Sequence, residues 1–91
     1  MKNLINYYYN LIINDFKKSN ESFIFQINGK FYEFMPFYGD INNVYKIYLF
    51  LTNNKKYCHE IIFNKDKNLL TIYNNKPYVL LKKNIHIEKS V

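Results

Sequence analysis

Ninety-one residues make one domain, and a chain this short leaves much of its surface in water, so a partner that adds buried area would matter to its stability. All thirteen basic residues are lysine, and the net charge of +6 attracts anions at long range without arginine's bidentate phosphate fork. The single cysteine, Cys58, excludes an internal disulfide and a cysteine-based zinc site, and no run approaches the roughly eighteen apolar residues of a spanning helix.

Lys2 precedes Leu4 and Ile5, but Asn3, Asn6, Asn10 and Asn14 break the apolar stretch and no small-residue cleavage site follows. This is a poor signal peptide, and a cytoplasmic location is expected. Leu4, Tyr8, Ile12 and Phe16 recur every four residues, with Ile5, Tyr9 and Ile13 beside them, and Lys17-Lys18 suit a helix C-terminus. The spacing predicts a helix from about residue 3 to 18, followed by a turn at Ser19-Asn20-Glu21.

Ser22 to Phe37 reads as a hairpin about Asn28-Gly29, because both central positions of a type I′ turn need positive φ. A two-residue turn pairs Ile27 with Lys30, Phe25 with Tyr32 and Phe23 with Phe34, and puts those four rings on one face. Pro36 and Gly39 end the second strand. Asp40 then caps a second helix, about 41 to 53, whose stripe Ile41, Val44, Tyr48 and Leu51 is widened by Ile47 and Phe50.

The rest reads as strands: His59 to Phe63, Leu69 to Tyr73 and Tyr78 to Lys82, joined by short polar connections that imply antiparallel neighbours. Tyr78-Val79-Leu80-Leu81 is apolar on both faces and belongs inside the sheet. Residues 84–91 read as a tail. The expected architecture is α+β: a five-stranded antiparallel sheet of hairpin, helix and three-strand meander, with both helices packed on one face.

Residue types suited to catalysis gather only at Cys58-His59-Glu60. Neighbours in a strand point to opposite faces, so a Cys-His nucleophilic pair is not expected there. His59 and His86 lack metal-site spacing, even with Glu60 or Glu88 nearby, and both glycines have turn roles rather than a phosphate-loop role. No cofactor is expected. A small enzyme would need His59, Glu60 and Glu33 to converge in one pocket.

Ten tyrosines and eight phenylalanines exceed what a small core normally takes, and they read either as core residues swelled by AT-rich codon usage or as an exposed aromatic surface at Tyr7, Tyr38, Tyr57 or Tyr73. A protein partner or self-association is the expected use. The alternative is a small nucleic-acid-binding protein, which would gather Lys30, Lys46, Lys55, Lys56, Lys82 and Lys83 on one face.

The stretches FQINGKFYEFMPFYGDINNVYKIYLFL and CHEIIFNKDKNLLTIYNNKPYVLLKKN resemble, over residues 23–83, the N-terminal lobe of the aminoglycoside-phosphotransferase-like kinases. The likeness is greatest to the spore-coat-associated branch of endospore formers. Active relatives carry a phosphate-binding lysine on the strand corresponding to Phe31 to Pro36 and an acid on the helix that follows. Here Met35 stands near the first place, Ile41 to Leu51 contains no Asp or Glu, and no catalytic lobe follows before Val91. The resemblance therefore implies a non-catalytic, kinase-N-lobe-like interaction or assembly module, with a spore-coat association.

Overall fold

Asn28 and Gly29 take φ of 51° and 80°, the left-handed pair that lets a two-residue turn follow the twist of its strands. In the computed structural model, which describes residues 2–56 and 58–84, this turn joins the central strands of a six-stranded sheet. The elements are α1 (Lys2–Tyr9), β1 (Lys17–Ser19), β2 (Ser22–Ile27), β3 (Lys30–Pro36), a 3₁₀ turn (Ile41–Asn43), α2 (Val44–Asn53), β4 (Glu60–Ile62), β5 (Thr71–Tyr73) and β6 (Lys76–Lys82). Every pairing is antiparallel, in the order β1-β2-β3-β6-β4, with β5 also on β6. The class is α+β as expected, and the hairpin register pairs Phe23 with Phe34, Phe25 with Tyr32 and Ile27 with Lys30, as the turn requires.

Register and strand alternation sort the core into two clusters on opposite faces. Phe34 lies beside Leu80 and Met35 beside Val79, so even-numbered residues of β3 and β6 face one way and odd-numbered ones the other. On the first face α1 contributes Ile5 and Tyr9 to a buried cluster with Ile13, Phe23, Phe25, Phe34, Tyr78 and Leu80. On the second, Val44, Tyr48 and Leu51 of α2 pack against Ile61, Leu69 and Val79. The helices therefore cover opposite faces, which corrects the expectation that both share one. The apolar doublets of β6, Tyr78 with Leu80 and Val79 with Leu81, are what require cover on both sides.

The first helix is shorter than its four-residue spacing predicts. It ends at Tyr9, because Asn10 takes a φ of 52° and the Asn6 side chain accepts the Ile13 backbone N–H at 3.1 Å. Beyond it the chain runs without helix until Lys17-Lys18 enter the edge strand β1, an addition to the five strands expected. Ile13 is nevertheless buried, and the Phe16 ring meets Phe23 edge-on at 5.5 Å. The flanking Ile5, Tyr9 and Ile13 are core, whereas Ile12 and Phe16 of the four-residue repeat are exposed.

The last three strands do not form a meander. Ile62 pairs with Leu80 and Thr71 with Tyr78, so β4 and β5 lie in line along one edge of β6 and not side by side. Residues 63–70 leave this edge and return to it around the buried Asn64. Its Oδ1 accepts the Asp66 and Asn68 backbone N–H groups, while its Nδ2 donates to the Leu70 carbonyl and the Thr71 hydroxyl. A side chain that organises a loop in this way replaces the hairpin hydrogen bonds that a polar connection would suggest.

Candidate interaction surface

α2 begins where Asp40 caps the 3₁₀ turn by accepting the Asn42 N–H at 3.0 Å. Of the eight residues Val44 to Leu51, only Lys46 is charged or lacks a large apolar or aromatic side chain. Helical spacing turns Val44, Tyr48 and Leu51 to the sheet and leaves the remainder facing outward. No residue of α2 is buried, and Tyr45 and Phe50 are 55% and 62% exposed, with Ile41, Ile47 and Leu49 exposed beside them.

Aromatic contacts hold this surface in shape. Tyr45 stacks on Tyr48 at 5.9 Å between ring centroids, and Tyr48 meets the exposed Phe63 edge-on at 4.8 Å. An open groove of about 480 Å³ follows their flank, lined by Val44, Tyr45, Phe63, Leu69 and Leu70 among others. Among the described residues, no carboxylate lies on α2 or in this lining. Such a surface offers contact area to other apolar side chains.

Of the tyrosines expected to form a partner surface, Tyr7, Tyr38 and Tyr73 lie elsewhere. Tyr7, 62% exposed on α1, accepts a hydrogen bond from Lys65 Nζ at 2.6 Å, and the same ammonium sits 3.9 Å from its ring centroid. That bond pushes the Lys65 pKa up. Tyr38, exposed after β3, donates to Glu21 Oε2 at 2.5 Å, while Lys76 pairs with Oε1 at 2.6 Å. Lys76 first and Tyr38 second hold the Glu21 carboxyl below its ordinary range, and the bond to Glu21 raises the Tyr38 phenol. Tyr73 is half-buried and belongs to the core, with its ring 5.9 Å from Phe23 and 5.3 Å from Tyr78. Tyr57 lies outside the described residues, as do His86, Glu88 and the rest of 85–91.

Five of the six lysines named for an anion-binding face come to one end of the sheet but do not share a face, since Lys30 and Lys82 stand at even positions of β3 and β6 while Lys83 reaches Glu33 on the other side. Lys30 opens β3, Lys82 closes β6 and Lys83 follows it, while Lys55 and Lys56 arrive from α2 through their carbonyls, which accept from Asn84 Nδ2 at 3.0 and 3.2 Å. Lys46 is apart, on the outer side of α2. The catalytic grouping does not assemble: Glu33 pairs with Leu81 in register and Glu60 with Lys82, so these carboxylates face opposite sides of the sheet. Glu33 is bound to Lys83 at 2.7 Å, and His59 Nδ1 accepts the Asn84 N–H at 2.8 Å.

The exposed side of α2 was missed because Ile47 and Phe50 read as an extension of its buried stripe. The available signal was the near absence of polar residues between Val44 and Leu51. Comparison with protein-family models, curated proteins and solved structures finds no match for this chain.

Proposed function

We propose that this chain is a non-catalytic protein-interaction module that binds through the outward side of α2, and that in solution this side pairs with a second copy. The observation that carries the reading is a helix with apolar and aromatic residues around most of its circumference, yet no residue buried. Helices of that composition ordinarily lie inside a core or an interface. Self-pairing is electrostatically permitted, because Lys46 is the only charged residue each copy contributes from α2. The non-catalytic part of the proposal rests on the resemblance, in whose terms β3 offers Met35 for a lysine and α2 offers no acid. The N-lobe likeness and the spore-coat association enter through that same resemblance alone.

The test is mass in solution by light scattering after gel filtration, across protein concentration and salt. The expected result is an association that salt does not weaken and that the double variant Leu49→Lys, Phe50→Lys abolishes while the fold is kept by circular dichroism. A monomer at every concentration would sink the proposal. So would an association that dissolves in salt and survives the double variant.

A further inference from the structure

The lysine-rich end of the sheet is independent of α2's apolar side and carries a different chemistry. Three segments distant in sequence are fastened there by the backbone. Lys83 N–H donates to the Phe31 carbonyl at 2.8 Å, continuing the β3–β6 ladder past its last pair, and Asn84 ties the end of α2 to the end of β6. This brings Lys30, Lys55, Lys56, Lys82 and Lys83 to one end. Glu33 neutralises Lys83, and Glu60 stands opposite Lys82 in register. Lys30, Lys55 and Lys56 are exposed and make no ion pair with any described residue. At the same end Phe31, 40% exposed and accepting the Lys83 backbone N–H through its carbonyl, lines an open groove of about 380 Å³ with Phe16, Ile24 and Gln26. Asp15 and Lys17, also in that lining, offset each other in charge.

We infer that this end binds single-stranded nucleic acid, with Phe31 as the ring on which a base stacks and Lys30, Lys55 and Lys56 as the phosphate contacts. An exposed ring at a cation-rich end of a sheet suits a strand whose bases are unstacked, because stacking accepts any base and the charges follow the backbone. Lysine contacts phosphate as a point charge, so binding is weak, independent of sequence and dependent on salt. Three phosphate contacts predict a slope of about −2 in log affinity against log salt for a single strand.

The experiment is fluorescence anisotropy of a labelled oligothymidylate with the full chain at several salt concentrations, beside a duplex of equal length. Expected are preference for the single strand, a slope of about −2 that falls to about −0.7 in Lys55→Gln, Lys56→Gln, and weaker binding with an unchanged slope in Phe31→Ala. The Leu49→Lys, Phe50→Lys chain binds as tightly as the parent or tighter, which separates this inference from the α2 proposal. Circular dichroism confirms that each variant is folded. Absence of binding at low salt would overturn the inference. A slope unmoved by the lysine changes, or equal affinity for duplex together with an indifferent Phe31→Ala, would do the same.

Discussion

The two faces of the sheet are covered by helices of similar length and very different attachment. Under α1 lies a cluster of eight buried residues in which Ile5, Phe34 and Leu80 are completely enclosed. Phe34 stacks on Tyr78 at 4.8 Å and meets Tyr9 edge-on at 6.1 Å. Under α2 the described residues that are buried are Ile61, Leu69 and Val79, and the helix leaves Tyr45 and Phe50 more than half exposed. Helices of this size owe their stability to tertiary burial more than to intrinsic propensity. The first face therefore holds the fold, and the second leaves an apolar and aromatic surface exposed.

Truncation at the centre of each face separates them most sharply. Phe34→Ala removes a fully enclosed ring from the α1 face and should cost about 3–5 kcal/mol by denaturant unfolding, enough to abolish much of a small domain's stability. A Phe34→Ala chain of near-parental stability would mean that the α1 face is not the principal core.

Alkaline titration tests the polar interior of the same face. Tyr9 shares a 2.7 Å hydrogen bond with Thr71, and burial pushes its pKa from 10.0 up to about 12. Folding favours the neutral phenol, so this stability is fully present below pH 10 and is lost as pH rises from about 10 towards 12. Linkage sets the loss at about 3 kcal/mol. In Tyr9→Phe this part of the decline should vanish from the pH dependence of unfolding. An unchanged decline would show that other groups cause it.

Leu51→Ala, on the half-buried inner side of α2, should cost only about 1–2 kcal/mol in a dilute monomer. A loss equal to that of Phe34→Ala would erase the contrast between the faces. Smallest of all is the effect of Leu49→Lys, Phe50→Lys on monomer stability, within about 0.5 kcal/mol per site, since both side chains already face water. These last two substitutions should change assembly and little else.

The sequence made the hairpin legible down to its register, because Asn28-Gly29 fixes which residues pair and the alternating rings fix which face is buried. α1 was overextended because Ile13 does reach the core, but from chain beyond the helix. Asn10, which ends the helix, was a visible candidate for a left-handed residue. The in-line arrangement of β4 and β5 was not legible, since it depends on a buried Asn64 whose partners, Asp66, Asn68, Leu70 and Thr71, are defined only once the loop has folded. Opposite helix placement was present in the two apolar faces of Tyr78 to Leu81 and required only that each be given a cover. The lysines and tyrosines named as candidate surfaces came from composition, which does not say which of them share a face, and the outward side of α2 was hidden because Ile47 and Phe50 extend its apolar stripe.

The interrupted edge of β6 bears on how so aromatic a chain avoids fibrous aggregation. Growth of a sheet into a fibre needs a long open row of backbone donors and acceptors. Here one rim is the three-residue β1 with Lys17 and Lys18, and the other is divided by the Asn64 loop into two pieces of three residues each. Neither offers a template long enough for a neighbouring strand to lengthen. Any association of this chain would thereby be directed to side-chain contact across a face, which can saturate at a defined size.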